Sequence, residues 1–167
     1  MRLSWFIFIL VALFAIELLP SVRELVIDPF TSVIASISAG ITQLFDSSVQ
    51  SQGIVMRSVE NNVAVAIKPG CNGVEAMIVL AAAIIAFPAS WKSKFYGLFF
   101  GFIAIQAMNI IRIISLFYLL QWDKQWFDWA HLYIWQGLII LDALVIFIIW
   151  IRTLATKDKH KIEAYID

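Results

Sequence analysis

The chain is 167 residues long, 62% of them hydrophobic and only 14% charged, with 12 basic residues balanced by 12 acidic ones. That is too apolar for a water-soluble domain and reads as an integral membrane protein. Zero formal charge removes the electrostatic footprint of a nucleic-acid binder, and a single cysteine excludes an intramolecular disulfide and Cys-x-x-Cys redox chemistry.

A hydrocarbon core roughly 30 Å thick takes about 20 apolar residues per helix, so this length accommodates about four spans and one sizeable loop. The apolar runs predict an all-α polytopic membrane protein with spans over residues 3–19, 72–88, 95–120 and 132–151. Residues 1–167 form one domain, with an extracytoplasmic loop over 20–70 and a charged cytoplasmic tail over 152–167. The first run ends at Glu17-Leu18-Leu19-Pro20-Ser21 without a small-residue cleavage pattern, which predicts an uncleaved signal anchor. With a cytoplasmic N-terminus, the inner segments hold Arg2, Lys92, Lys94, Arg152, Lys157, Lys159 and Lys161, against Arg23, Arg57, Lys68 and Lys124 outside. That excess obeys the positive-inside rule. Trp5, Trp91, Trp122, Trp126, Trp129, Trp135 and Trp150 all fall near span ends, as an aromatic belt requires.

Within the 20–70 loop, Asp28 followed by Pro29 supplies an N-cap and a first helical residue. Phe30, Val33, Ile34, Ile37, Ile41, Leu44 and Phe45 then recur at helical spacing among serines and threonines, which predicts an amphipathic helix lying on the membrane or over the bundle. Further on, Ile54–Val59 and Val63–Ile67 flank Glu60-Asn61-Asn62, a small β-hairpin whose turn asparagines tolerate positive φ. The chain then passes through Lys68-Pro69-Gly70 to Cys71.

On this frame Cys71 opens the second span at its outer mouth. A helix N-terminus and a nearby cation both favour the thiolate, the form in which cysteine is a nucleophile; the plainer reading is a small buried hydrophobe. Arg112 interrupts Ile110-Ile111-Arg112-Ile113-Ile114 in the outer half of the third span, where a permanent charge costs about 2.5–3.5 kcal/mol on insertion scales unless it finds water or partners. It either serves a reaction or staples the bundle by pairing with Glu75, Asp142 or a backbone carbonyl. Asn109, three residues earlier on the same helix surface, orients Arg112 or bonds between helices. Glu75, one turn below Cys71, holds Arg112 or acts as packing glue, because a carboxylate would raise the thiol pKa. His131, at the outer mouth of the last span, is a general acid and base or an amphipathic anchor. Asp142 lies about 16 Å deeper than His131 on the same face and reads as a bundle stabiliser. Glu17 is interfacial and His160 belongs to the solvated tail. One cysteine and two distant histidines supply no metal-ligand set, so neither a metal nor another cofactor is expected.

Cys71 in Pro69-Gly70-Cys71-Asn72-Gly73-Val74-Glu75, Arg112 in Asn109-Ile110-Ile111-Arg112-Ile113, and His131 at the head of the last span resemble the Cys, Arg and His constellation of the exosortase/archaeosortase family. The resemblance covers roughly residues 60–150, and the shortness of the chain resembles a compact subtype, exosortase H. It implies a multi-pass cysteine transpeptidase of the bacterial cytoplasmic (inner) membrane, with Cys71, Arg112 and His131 as catalytic residues and Asn72, Glu75, Asn109 and Asp142 supporting them. The implied partners are proteins ending in a short motif, a transmembrane helix and a basic tail, with a motif of the Ile-Pro-Thr-Leu-x-x-Trp-Gly kind for the compact subtype. A hydrolytic membrane cysteine protease and a non-enzymatic helical scaffold or transport subunit are the alternatives. The scaffold predicts that Cys71→Ala is silent.

Overall fold

The computed structural model describes residues 3–163, with side chains over residues 3–155; Arg2, Lys157, Lys159, His160 and Lys161, on which part of the orientation count rests, lie outside the described side chains. The order of elements is α1 (Leu3–Glu17), α2 (Pro20–Val22), α3 (Asp28–Thr42), β1 (Val49–Gln52), β2 (Val55–Ser58), β3 (Ala64–Ala66), α4 (Val74–Ala86), α5 (Trp91–Trp122), α6 (Lys124–Trp129) and α7 (Trp135–Glu163). One π-helical turn, Arg23–Ile27, joins α2 to α3, and another, Ala130–Ile134, joins α6 to α7.

Among the described residues, three continuous helices are long and apolar enough to cross a membrane: Pro20–Thr42, Trp91–Trp122 and Lys124–Ala155. Two of these match the expected third and fourth spans. The expected first and second spans are shorter apolar helices of 15 and 13 residues. Each is cut by local chemistry. Leu19 turns extended before Pro20, Gly73 adopts φ +79 ahead of α4, and Phe87 becomes extended before Pro88, because the residue preceding a proline is driven out of the helical region.

The segment from Pro20 to Thr42 differs most from expectation. Asp28 caps nothing: the helix begins at Pro20, and the π turn carries it past Pro29, which has no N–H to donate, while Asp28 N–H donates to the Arg23 carbonyl five residues back. Its amphipathicity is also inverted relative to a helix in water. Thr31, Ile34, Ala35, Ser38, Ala39 and Thr42 face the protein, whereas Val33, Ile37 and Ile41 are exposed. Small and hydroxyl-bearing residues at a helix interface are what lipid selects, since large apolar side chains lose nothing by facing acyl chains. The hydroxyls are satisfied within the helix: Thr31, Ser38 and Thr42 donate to the carbonyls of Ile27, Ile34 and Ser38 at 2.8 Å each.

The hairpin is present and is extended by β1 into a three-stranded antiparallel sheet of order β1-β2-β3, with Met56 opposite both Ser51 and Val65. Asn62 takes the positive φ of the turn at +52. Val49, Met56 and Ile67 from the sheet segment pack with Ile34, Ala35 and Ala39 of α3 and Ile113 and Phe117 of α5. A second apolar cluster, around Leu80, Ile84, Ile105 and Trp150, ties α4, α5 and α7 together away from the sheet. Trp150 therefore departs from the aromatic belt. It is 8% exposed, lies edge-on to Phe87, and donates its indole N–H to the Ser93 carbonyl at 3.0 Å.

Gly73 is where α4 and α5 approach most closely at the sheet end: a Cβ there would stand 2.7 Å from Gln106 Nε2. Gly73→Ala, which adds this clash to a left-handed backbone, is expected to destabilise the protein by about 1–3 kcal/mol in a micellar denaturation titration. Gly40→Ala, with open space in α3, is expected to be neutral or to stabilise by about 0.5–1 kcal/mol.

Candidate functional site

Lys68-Pro69-Gly70-Cys71 forms a tight turn closed by Cys71 N–H donating to the Lys68 carbonyl at 2.9 Å. Proline at its second position and Gly70 at φ +86 in its third are the requirements of a type II turn. Cys71 consequently stands before α4, not within it: Gly73 is the N-cap and Val74 the first helical residue. Asn72, fully buried, fixes the link between turn and helix. Its Oδ1 accepts from Val74 N–H at 3.1 Å, its Nδ2 donates to Thr31 Oγ1 of α3 at 3.0 Å, and its carbonyl accepts from Gln106 Nε2 of α5 at 3.0 Å.

Arg112 enters from α5 with only 1% of its surface exposed. Its Nη1 donates to the Gly70 carbonyl at 3.2 Å and its Nη2 points to Cys71 Sγ at 3.6 Å, while its Nε has no partner. Among the described residues it forms no ion pair with Glu75 or Asp142. Glu75 instead accepts the Gly70 N–H. The two faces of the Gly70 residue are thereby held by opposite charges, its N–H by a carboxylate and its carbonyl by a guanidinium.

His131 arrives on the π turn between α6 and α7, and its Nε2 lies 3.1 Å from Cys71 Sγ across 60 residues of sequence. Phe127, one turn earlier, stacks on the imidazole with ring centroids 5.6 Å apart and planes 17° from parallel. A π bulge rotates the residues after it out of the regular helical phase and is common where a side chain must be aimed.

Cys71, Arg112 and His131 are thus brought into direct contact, and Asn72 and Glu75 hold the turn beneath them. Asn109 bonds along α5 to Gln106 at 3.3 Å rather than to Arg112, and leaves its Oδ1 without a partner among the described residues. Asp142 lines a small cavity together with Gly73, Asn109, Arg112 and Trp135, where it makes no ion pair with Arg112. Gln106, Thr31 and Phe127 were not singled out from the sequence. Gln106, Asn109 and Arg112 repeat every third residue along an otherwise apolar helix, a polar stripe that would have flagged Gln106. Phe127 stands four residues before His131, the spacing of neighbours on a helix surface. Thr31 is one of many hydroxyl residues in its helix and carried no signal.

Chemically the cluster sets a thiol between a proton acceptor and a buried cation. Burial pushes the Cys71 thiol above its ordinary value, the Arg112 guanidinium pulls it down, and the Glu75 carboxylate pushes it up. Cys71 lies outside the first turn of α4, and burial is the largest influence on its thiol. His131 Nε2 is placed to take the thiol proton.

In detergent micelles, alkylation of Cys71 by iodoacetamide is expected to rise with pH through a midpoint above that of a free thiol. Arg112→Gln is expected to move the midpoint further up and Glu75→Gln to move it down. A wild-type midpoint below the free-thiol value would contradict this electrostatic balance.

A family model described as transmembrane exosortase matches residues 1–151 of the chain. No curated protein and no solved structure matches it.

Proposed function

Because the chain belongs to the transmembrane exosortase family, we propose that it is a membrane cysteine transpeptidase that cleaves a C-terminal sorting signal of exported proteins and transfers the new acyl end to a surface acceptor. The observation that carries the reading is the contact of Cys71 Sγ with both His131 Nε2 and Arg112 Nη2, at 3.1 and 3.6 Å. A thiol, a base and a buried cation meeting at one point make up the set an acyl transfer needs. In this reading the sheet end of the bundle faces outward from the cytoplasmic membrane, with the N- and C-termini inside. The substrate presents its short motif above its own membrane helix and basic tail.

The steps follow from the contacts. His131 Nε2 takes the Cys71 proton as Sγ attacks the scissile carbonyl carbon. The carbonyl oxygen gathers negative charge, and Arg112, already desolvated and aimed at the sulfur, compensates it. The carbon–nitrogen bond breaks, the proton on His131 passes to the leaving amine, and a thioester remains on Cys71. An amine or hydroxyl acceptor then gives its proton to His131 and attacks the thioester. The carbon–sulfur bond breaks, and the proton returns to the sulfur. Asn72, Gln106 and Glu75 keep the Gly70-Cys71 turn from moving as charge shifts between sulfur and oxygen.

The test is processing of a candidate substrate in cells, followed by blotting and C-terminal mass analysis. Cys71→Ala is expected to abolish processing at normal membrane accumulation, His131→Ala to lower it by about 10²–10⁴-fold, and Arg112→Gln by about 10²–10³-fold. An acceptor adduct on the new C-terminus marks transfer, and a free carboxylate marks hydrolysis. Unchanged processing by Cys71→Ala would overturn the enzymatic reading and leave the scaffold.

A further inference from the structure

β3 is an edge strand that runs straight into the nucleophile. In its pairing with β2, the Val63 carbonyl accepts from Ser58 N–H and Ile67 N–H donates to the Ile54 carbonyl, at 2.8 and 2.9 Å. In an antiparallel ladder such residues alternate, so Val63, Val65 and Ile67 turn their backbone groups toward β2. Ala64 and Ala66 turn theirs outward. Both alanines are exposed, while Val65 is half-buried against the core, and their methyl groups are too small to shield the edge. The opposite edge of the sheet is different, because Gln43 Nε2 donates to the Val49 carbonyl and α3 packs beside β1. One edge is covered by the protein, and the other presents the backbone N–H and carbonyl groups of Ala64 and Ala66 without a partner among the described residues.

From Ala66 the chain advances two residues to Lys68, then folds back through the turn that ends at Cys71. Two extended residues cover about 6.6 Å and the ends of a tight turn lie within about 7 Å, so Cys71 falls within about 14 Å of Ala66, the length of about four extended residues. About four residues of extended peptide therefore suffice to link a strand paired along Ala64–Ala66 to Cys71. A cleft of about 230 Å³ lined by Arg57, Asn62, Val63 and Ala64 borders the far end of this edge.

We propose that the free edge of β3 docks the extended segment of the substrate polypeptide just upstream of its scissile bond, which adds to the sheet as a fourth strand. The inference rests on the transpeptidase reading and deepens it. A substrate whose exported part lies outside and whose helix lies in the membrane approaches Cys71 in the same direction as β3, so the added strand is parallel to it. Backbone pairing supplies affinity with little demand on sequence, as in other cases of strand addition to a sheet edge. Lys68 and Pro69, one residue beyond the strand, close the edge after about three residues and so limit unwanted pairing.

The test uses wild-type protein in micelles and synthetic peptides spanning the mass-mapped cleavage site of a polypeptide that the wild type processes, each N-methylated at one of the eight residues upstream of the scissile bond. Alternate amides of a strand point to its neighbour, so within the stretch that lies along β3 kcat/KM is expected to fall at least tenfold at every second position and to be spared between them. On the protein side, Ala66→Pro deletes one outward N–H and leaves the ladder amide of Val65 in place. It is expected to raise KM for the unmodified peptide severalfold, with kcat and the alkylation rate of Cys71 retained. A flat N-methylation profile, or an unchanged KM in Ala66→Pro, overturns the docking proposal while cleavage continues. Failure of the wild type to process any full-length polypeptide, which leaves no cleavage site to map, would overturn the transpeptidase reading itself.

Discussion

A guanidinium with 1% of its surface exposed and no ion pair among the described residues is the constraint around which the sheet end of this protein is built. A buried charge is tolerated when it is paired or richly hydrogen-bonded, and the penalty for leaving it unpaired is several kcal/mol in real proteins. Arg112 meets that penalty with one carbonyl and one sulfur, and its Nε remains without a partner. What it lacks is an anion. The Gly70 turn, the α4 N-cap at Gly73 and the Asn72 bonds all serve to hold the Gly70 carbonyl and Cys71 against this cation. The place where negative charge would appear, on sulfur or on the oxygen of a carbonyl whose carbon it attacks, already faces an oriented guanidinium donor, and this is how preorganised electrostatic stabilisation operates.

The same arrangement divides labour between the two partners of Cys71. Burial raises the thiol pKa against the pull of the guanidinium, so a proton acceptor in direct contact favours its ionisation. His131 supplies that acceptor from a different helix, aimed by a π turn and steadied by the stacked ring of Phe127. Glu75 acts at one remove: it raises the thiol pKa electrostatically while fixing the Gly70 peptide whose carbonyl holds Arg112. Its position makes mechanical sense even though its charge opposes thiolate formation. The neighbouring helices contribute through hydroxyls and amides rather than through ion pairs, in keeping with membrane interfaces where small and neutral polar residues give close contact without a desolvated charge.

Much of this was legible in the sequence, and the limits of legibility are physical. The intramembrane arginine and the one cysteine stand out because lipid makes charge conspicuous, and helical order alone brings Cys71, Arg112 and His131 to one end. The hairpin was readable from alternating runs around an asparagine turn, whereas β1, Val-Gln-Ser-Gln, has no apolar alternation and forms only because β2 offers it an edge. Asp28-Pro29 signals a helix start, but the structure moves the start back to Pro20, because the π turn Arg23–Ile27 carries the helix past Pro29. The position of Cys71 before α4, and not at its first residue, turned on Pro69-Gly70, a turn signal that was present in the sequence but given no structural weight. The stack of Phe127 on His131 and the bond of Gln106 to Asn72 depend on side-chain directions that spacing alone only permits.

The most direct test of a reacting thiol beside a buried cation is to trap the covalent species: mix wild-type protein with a processed substrate, quench in acid within one turnover, and weigh the proteolytic fragment that carries Cys71. The account predicts a hydroxylamine-sensitive mass increment equal to the acyl part of the substrate, located on Cys71. Substrate turnover with Cys71 unmodified at every quench time, or an adduct located on another residue, would contradict it.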